Sequence, residues 1–309
     1  MKAYQFASIL VLLLSLPITT LSVAAENDPK ADVAINALLR DLAIYEIIHD
    51  IPQTITDGLE QRRSEQAAIT AKQRERLTAT TSEYFTEAAL AGRLRALLGK
   101  EFDEARYATL QRLVQSQAGK RLSEIKRAAL SAQATEAIRK FAKDQHDKAP
   151  GPARASLYSQ LDDASADTEF LVATQALAIQ SVARLANAAD GKSQDLTPEK
   201  KDLLLRASYE QLLKPSKFTT RITYDYAFHD LSDDDLKLFI EFYRFGDMQW
   251  FLSKVMEALN TVMEQATAEA EKSSANKHLR SFIVIGGGSD FPSRLPAKPP
   301  PNIRYSEYF

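Results

Sequence analysis

Cysteine is absent from all 309 residues. That excludes disulfides, thiolate catalysis, Cys-ligated metals and the acylated cysteine that opens a mature lipoprotein. Net charge is nearly absent as well, with 39 Lys and Arg against 41 Asp and Glu. The charges are interleaved, so no basic block points to nucleic acid and no acidic tail is present. No serine sits in a G-x-S-x-G elbow, and Gly286-Gly287-Gly288-Ser289 lacks the lysine of a phosphate loop. His49, His146, His229 and His278 stand far apart and show no metal-ligand spacing. These absences predict a protein that is not an enzyme and holds neither metal nor cofactor.

The chain does begin with a leader-like segment. Lys2 is the only charge before Glu26, Phe6 to Leu16 is almost wholly apolar, and Val23-Ala24-Ala25 places small residues at −3 and −1. Such a pattern reads as a secretory signal peptide over residues 1–25, cleaved after Ala25. The apolar run is too short for the roughly 20 residues that a membrane helix needs. A periplasmic protein without a stable membrane anchor is therefore expected.

From Asp32 to about Ala275 the apolar residues recur at steps of three and four, as on amphipathic helices. Pro52 should interrupt the first helix, and Pro215 should end or kink a later one. Gly99 stands where a left-handed helix cap favours glycine. Asp103 is a candidate N-cap, Thr197-Pro198-Glu199 is a helix start, and Ser232 with Asp235 has the spacing of a capping box. Ser281 to Ile285 is the one strand-like stretch. Charged residues around Pro150-Gly151-Pro152 predict a linker over 143–154 between helical units at 26–142 and 155–278. The Gly- and Pro-rich residues 279–309 read as an irregular tail. The expected fold is thus all-α, a helical bundle of two similar multi-helix units with a proline-rich tail.

The two units echo each other. Phe102–Leu130 can be laid on Leu231–Leu259 at a constant offset, with the candidate caps Asp103 and Ser232 coinciding. Tyr107 falls on Leu236, Leu110 on Phe239 and Leu122 on Phe251. The run LSDDDLKLFIEFYRFGDMQ from Leu231 to Gln249 resembles the signature of a secreted bacterial family known only as domain of unknown function 2059. Phe242-Tyr243 match its aromatic pair, whereas Phe245 to Met248 depart from its Ser-Pro and Gly. The first copy keeps the other half, Ser116, Gly119 and Lys120-Arg121, but has Leu113-Val114 in place of the aromatics. The resemblance implies an α-helical exported protein and supplies no catalytic residues.

Aromatic residues concentrate between Phe218 and Phe251. They can fill a core or offer anchors to a partner. Phe239, Phe242, Tyr243 and Phe251 lie near one helical stripe, as core residues do, while Phe245 and Trp250 lie off it. The candidate binding residues are Phe245, Trp250, Phe242 and Tyr243. His229-Asp230 with Asp233-Asp234-Asp235 reads as a helix start rather than a metal site, since acids suit the positive end of a helix. The expected function is a periplasmic interaction module that binds another envelope or secreted protein. Two alternatives remain open: a helical carrier of an apolar small molecule or lipid, and an envelope hydrolase acting through Asp233 or His229.

Overall fold

The computed structural model describes residues 28–65, 71–144, 150–189 and 197–285. The leader and the residues beyond Ile285 lie outside these, as do 145–149 in the expected linker. Twelve helices and no strand occur among the described residues. They are α1 (Pro29–Asp41), α2 (Ile44–Glu65), α3 (Ala71–Tyr84), α4 (Glu87–Gly99), α5 (Glu104–Val114), α6 (Gln117–Ala129) and α7 (Ala132–Asp144). The series continues with α8 (Pro152–Ser165), α9 (Asp167–Ala189), α10 (Pro198–Phe228), α11 (Asp233–Arg244) and α12 (Gly246–Ile285). The protein is all-α. None of the described helices is long and apolar enough to cross a membrane.

Side-chain caps start half of the twelve described helices. Asp28, Thr86, Asp103, Ser116 and Thr197 each accept a hydrogen bond from a free first-turn amide. Ser232 and Asp235 form the reciprocal capping box. Three expectations need correction. Pro52 lies inside α2 without interrupting it, whereas of the two outcomes expected for Pro215, only the helix end is ruled out, since α10 runs through it. An interior proline costs about 3 kcal/mol, yet Ile48, Ile51, Ile55 and Leu59 run through Pro52 as one buried stripe. Burying several such side chains, at about 2 kcal/mol each, outweighs the missing hydrogen bond. Gly99 is the last helical residue of α4, and the cap, Lys100, is right-handed, not left-handed. Finally, Ser281–Ile285 is not a strand but the end of α12, so an irregular tail can begin only after Ile285.

Left-handed backbone is taken up by alanines instead. Ala43, between α1 and α2, has φ 59, and Ala166, between α8 and α9, has φ 57. Each costs about 1 kcal/mol relative to glycine, and each turns a proline-started helix directly into a longer one. This pair of matching corners begins a wider correspondence. Shifting α1 and α2 by 123 residues superposes their starts on those of α8 and α9. A shift of 129 brings the end of α4 onto that of α10, and the starts of α5 and α6 onto those of α11 and α12. Thus α10 is continuous where the first half breaks into α3 and α4, and α12 is continuous across the counterpart of the α6–α7 break.

The halves share one core rather than having one each. Residues from Ala31 to Ala270 form a single buried cluster. Helix α2 packs on α9, α6 and α7 pack on α10, and α3 and α4 pack on α12. The crossing is reciprocal: α5 touches α12, and its counterpart α11 touches the counterpart of α12, α6. Arg121 bonds Asp235 at 2.8 Å on one side. On the other, at the equivalent positions exchanged between halves, Arg106 lies 4.6 Å over the Trp250 ring.

Candidate functional site

Helix α11 and the start of α12 carry the four residues singled out by sequence. The capping box sets the start of α11, and Phe245, with extended backbone (φ −58, ψ 130), separates it from α12. Phe242 and Tyr243 do not form a surface. Both are buried, with rings edge to face at 5.2 Å. This corrects their assignment as binding residues, because helix periodicity turns that pair onto α6 and α8. Trp250 is half-buried, edge-on to Tyr107 at 6.0 Å and capped by Arg106, which also pairs with Asp247 at 3.2 Å. Of the four, only Phe245 is strongly exposed, at 41%.

Sequence reasoning missed Leu238, which is 58% exposed. It lies seven residues before Phe245, two helical turns away, so the two share the outer side of α11. Asp234, Lys237, Glu241 and Arg244 surround them, paired as Lys237–Asp234 at 2.8 Å and Arg244–Glu241 at 3.2 Å. A lone leucine among charges has no periodic signal, and only the packing of α11 reveals it as uncovered.

Sequence reasoning also missed a buried polar cluster at the Ala166 corner. Lys126 on α6 donates to Asp167 at 2.7 Å and to the Tyr243 hydroxyl at 3.1 Å. The Tyr224 hydroxyl donates to the other Asp167 oxygen at 2.6 Å and lies 2.9 Å from the Ser165 hydroxyl. Burial alone would lower the Lys126 pKa, but Asp167 and Tyr243 hold it above the ordinary lysine value. Burial raises both tyrosines, with Asp167 adding to the effect. A lysine held charged and phenols held neutral supply neither a base nor a nucleophile near neutral pH. The cluster ties α6, α9, α10 and α11 together, and its members are too far apart in sequence to be paired by inspection.

The acidic start of α11 is used for capping and ion pairs. The Asp235 carboxylate accepts from the Ser232 amide at 3.3 Å, Asp233 pairs with Arg154 at 2.8 Å and Asp234 with Lys237. His229 contacts Asp230 at 3.1 Å and the carbonyl of Tyr226 at 2.7 Å. No group of three or more metal-ligating side chains occurs among the described residues. His49 pairs with Glu87 at 2.9 Å, and that carboxylate raises its pKa. His146 lies outside the described residues.

No family model, curated protein or solved structure matches this chain.

Proposed function

We propose that this is an exported, non-catalytic interaction module whose α11 holds another polypeptide of the cell envelope or a secreted protein. The observation that carries this reading is the exposed Leu238–Phe245 pair. Two large apolar side chains two turns apart, ringed by charges already paired among themselves, suit a small apolar anchor site with a polar rim. The counterparts of these residues in the first half are Thr109 and Ser116. The apolar pair is therefore not something the helix–corner–helix unit needs in order to fold.

Export is supported by the leader-like residues 1–25. Membership of the unknown-function family is supported by the physical roles of its motif residues here: Ser116 caps α6, and Gly119 lies where a side chain has no room. The matching corners and crosswise packing support descent of the two halves from one duplicated unit. The carrier reading has less behind it, since the aromatic rings that would line its cavity pack on one another.

The test replaces Leu238 and Phe245 with serine and places a photo-crosslinking residue at position 241. Partner crosslinks formed in the envelope should disappear in the double variant, with thermal stability unchanged. Crosslinks that persist at full yield would remove α11 as the binding face.

A further inference from the structure

The long helix α10 has an outward side unlike that of any other described helix. Lys200, Leu203, Ala207, Gln211, Lys214, Phe218 and Arg221 follow one another at steps of three and four, Leu204 lies beside Leu203, and every one is exposed. Leu203 is 67% exposed, Leu204 48% and Phe218 50%, three of the eight large apolar side chains exposed among the described residues. The stripe runs about 32 Å along the helix.

Its charges are mostly basic, with one exposed acid, Glu210, at its edge. Lys200, Lys214 and Arg221 form no ion pair with another described residue, and the Arg221 guanidinium lies 5.4 Å over the Phe218 ring. Lys217, on the flank, is also exposed. Of the bordering acids, Glu199 is held at the Thr197 cap and Asp202 is paired with Arg206 at 3.0 Å, leaving Glu210. The first half does not repeat this pattern. At the positions equivalent to Leu203, Leu204 and Phe218 it has Arg74, Glu75 and Ala89.

We propose that the outward side of α10 docks the protein peripherally on an anionic lipid bilayer, with Leu203, Leu204 and Phe218 entering the interface and Lys200, Lys214, Lys217 and Arg221 meeting the headgroups. A partner helix in a groove would be met by anchors at successive turns. Here the apolar anchors sit at the two ends of the stripe, with small or polar Ala207 and Gln211 between Leu204 and Phe218. A flat, extended and chemically uniform partner spans that gap without needing a contact in its middle. Long basic side chains around apolar ones are the composition of interfacial helices, whose cations reach the headgroups while the apolar groups enter the acyl boundary. The required charge is anionic, because three unpaired cations gain nothing from a neutral surface.

The chain from Glu26 onward, which contains every described residue, is mixed with phosphatidylglycerol-containing vesicles or with phosphatidylcholine vesicles and sedimented. Binding should favour the anionic vesicles at least tenfold at about 0.1 M salt and fade at about 1 M. Replacing Lys214, Lys217 and Arg221 by glutamine should weaken it on the order of a hundredfold, roughly fivefold per cation. Leu203→Gln with Phe218→Gln should weaken it further, with an unchanged melting curve. The Leu238 and Phe245 serine variant should bind vesicles normally, which separates this surface from α11. Failure to bind anionic vesicles, equal binding to neutral ones, or binding indifferent to the α10 substitutions would overturn the proposal. So would photo-crosslinks from α10 that reach a polypeptide instead of lipid.

Discussion

The corner between α5 and α6 and the corner between α11 and α12 occupy equivalent places and are built in opposite ways. In the first, Ser116 caps α6, and Gly119 lies so close to the preceding turn that a Cβ would come 2.5 Å from the Val114 carbonyl oxygen. In the second, the equivalent of Gly119 is Met248, fully buried. One corner closes by leaving a side chain out, and the other opens enough to bury a large one. The consequences extend to the neighbouring helices. Helix α9 is buried on nearly all sides because α12 runs along it, with Ser181 bonded to Thr267 at 2.7 Å and Arg184 to Glu264 at 2.7 Å. Among its described side chains, its counterpart α2 buries the stripe from Ile44 to Leu59, and its other side is polar: Gln53, Thr54, Asp57 and Glu60. The same order of helices therefore makes one central and one peripheral element, and the residues have adapted to each role.

The largest way to break this comparison lies in the contact that the halves make with different chemistry. Lys126 meets Tyr243 on one side, where the equivalent residues on the other are Val255 and Val114, both buried. Lys126→Val should therefore fit by shape yet cost about 3 kcal/mol, because Asp167 loses its buried counter-charge. Adding Asp167→Asn should recover most of that loss in urea unfolding. A single substitution that costs nothing would mean that the ion pair does not hold the corner.

The two corners should respond to opposite substitutions. Gly119→Ala is expected to destabilise by about 2 kcal/mol through overpacking against backbone that cannot yield. Met248→Ala should cost a similar amount, about 2–3 kcal/mol, through the cavity it leaves. Equal tolerance of alanine at both sites would show that the corners are alike. The caps offer a smaller contrast: Asp103→Ala and Ser232→Ala should each cost about 1 kcal/mol, with Ser232 the more costly because its capping box is reciprocal. Chemical denaturation measures both.

The smallest expected effect is a pH dependence confined to the first half. Glu87 raises the pKa of His49, so the pair stabilises the fold at pH below about 6.5 and that contribution is lost as pH rises through the folded-state value. Both groups are exposed, so solvent weakens the effect. An NMR titration should place the His49 midpoint above that of an unfolded peptide, and Glu87→Gln should return it. A midpoint unchanged by Glu87→Gln would show that the pair does not form in solution.

What could be read directly from the residues was local. The Asp103, Thr197 and Ser232 caps depend on a side chain and an amide three residues away, and all three form. The stripe through Phe239 and Phe251 was legible because helix period alone places those residues together, and both are fully buried. Phe242 and Tyr243 belong to that inward side as well, and of the four candidate contacts only Phe245 is exposed. Leu238 and the outer side of α10 could not be recognised, because exposure depends on which neighbours are missing. Pro52 misled for the same reason: its local cost is certain, while the burial that outweighs it comes from helices far along the chain.

The sequence by itself determined that the chain is helical, where several helices begin and which side of several faces inward. These follow from hydrogen bonds and side-chain spacing within a few residues. Tertiary structure decided that the two halves share one core, that alanines at 43 and 166 accept left-handed backbone, and that Lys126 finds Asp167. Such choices rest on contacts between distant segments, whose gain appears only when many helices pack at once and burial exceeds the cost of ordering them.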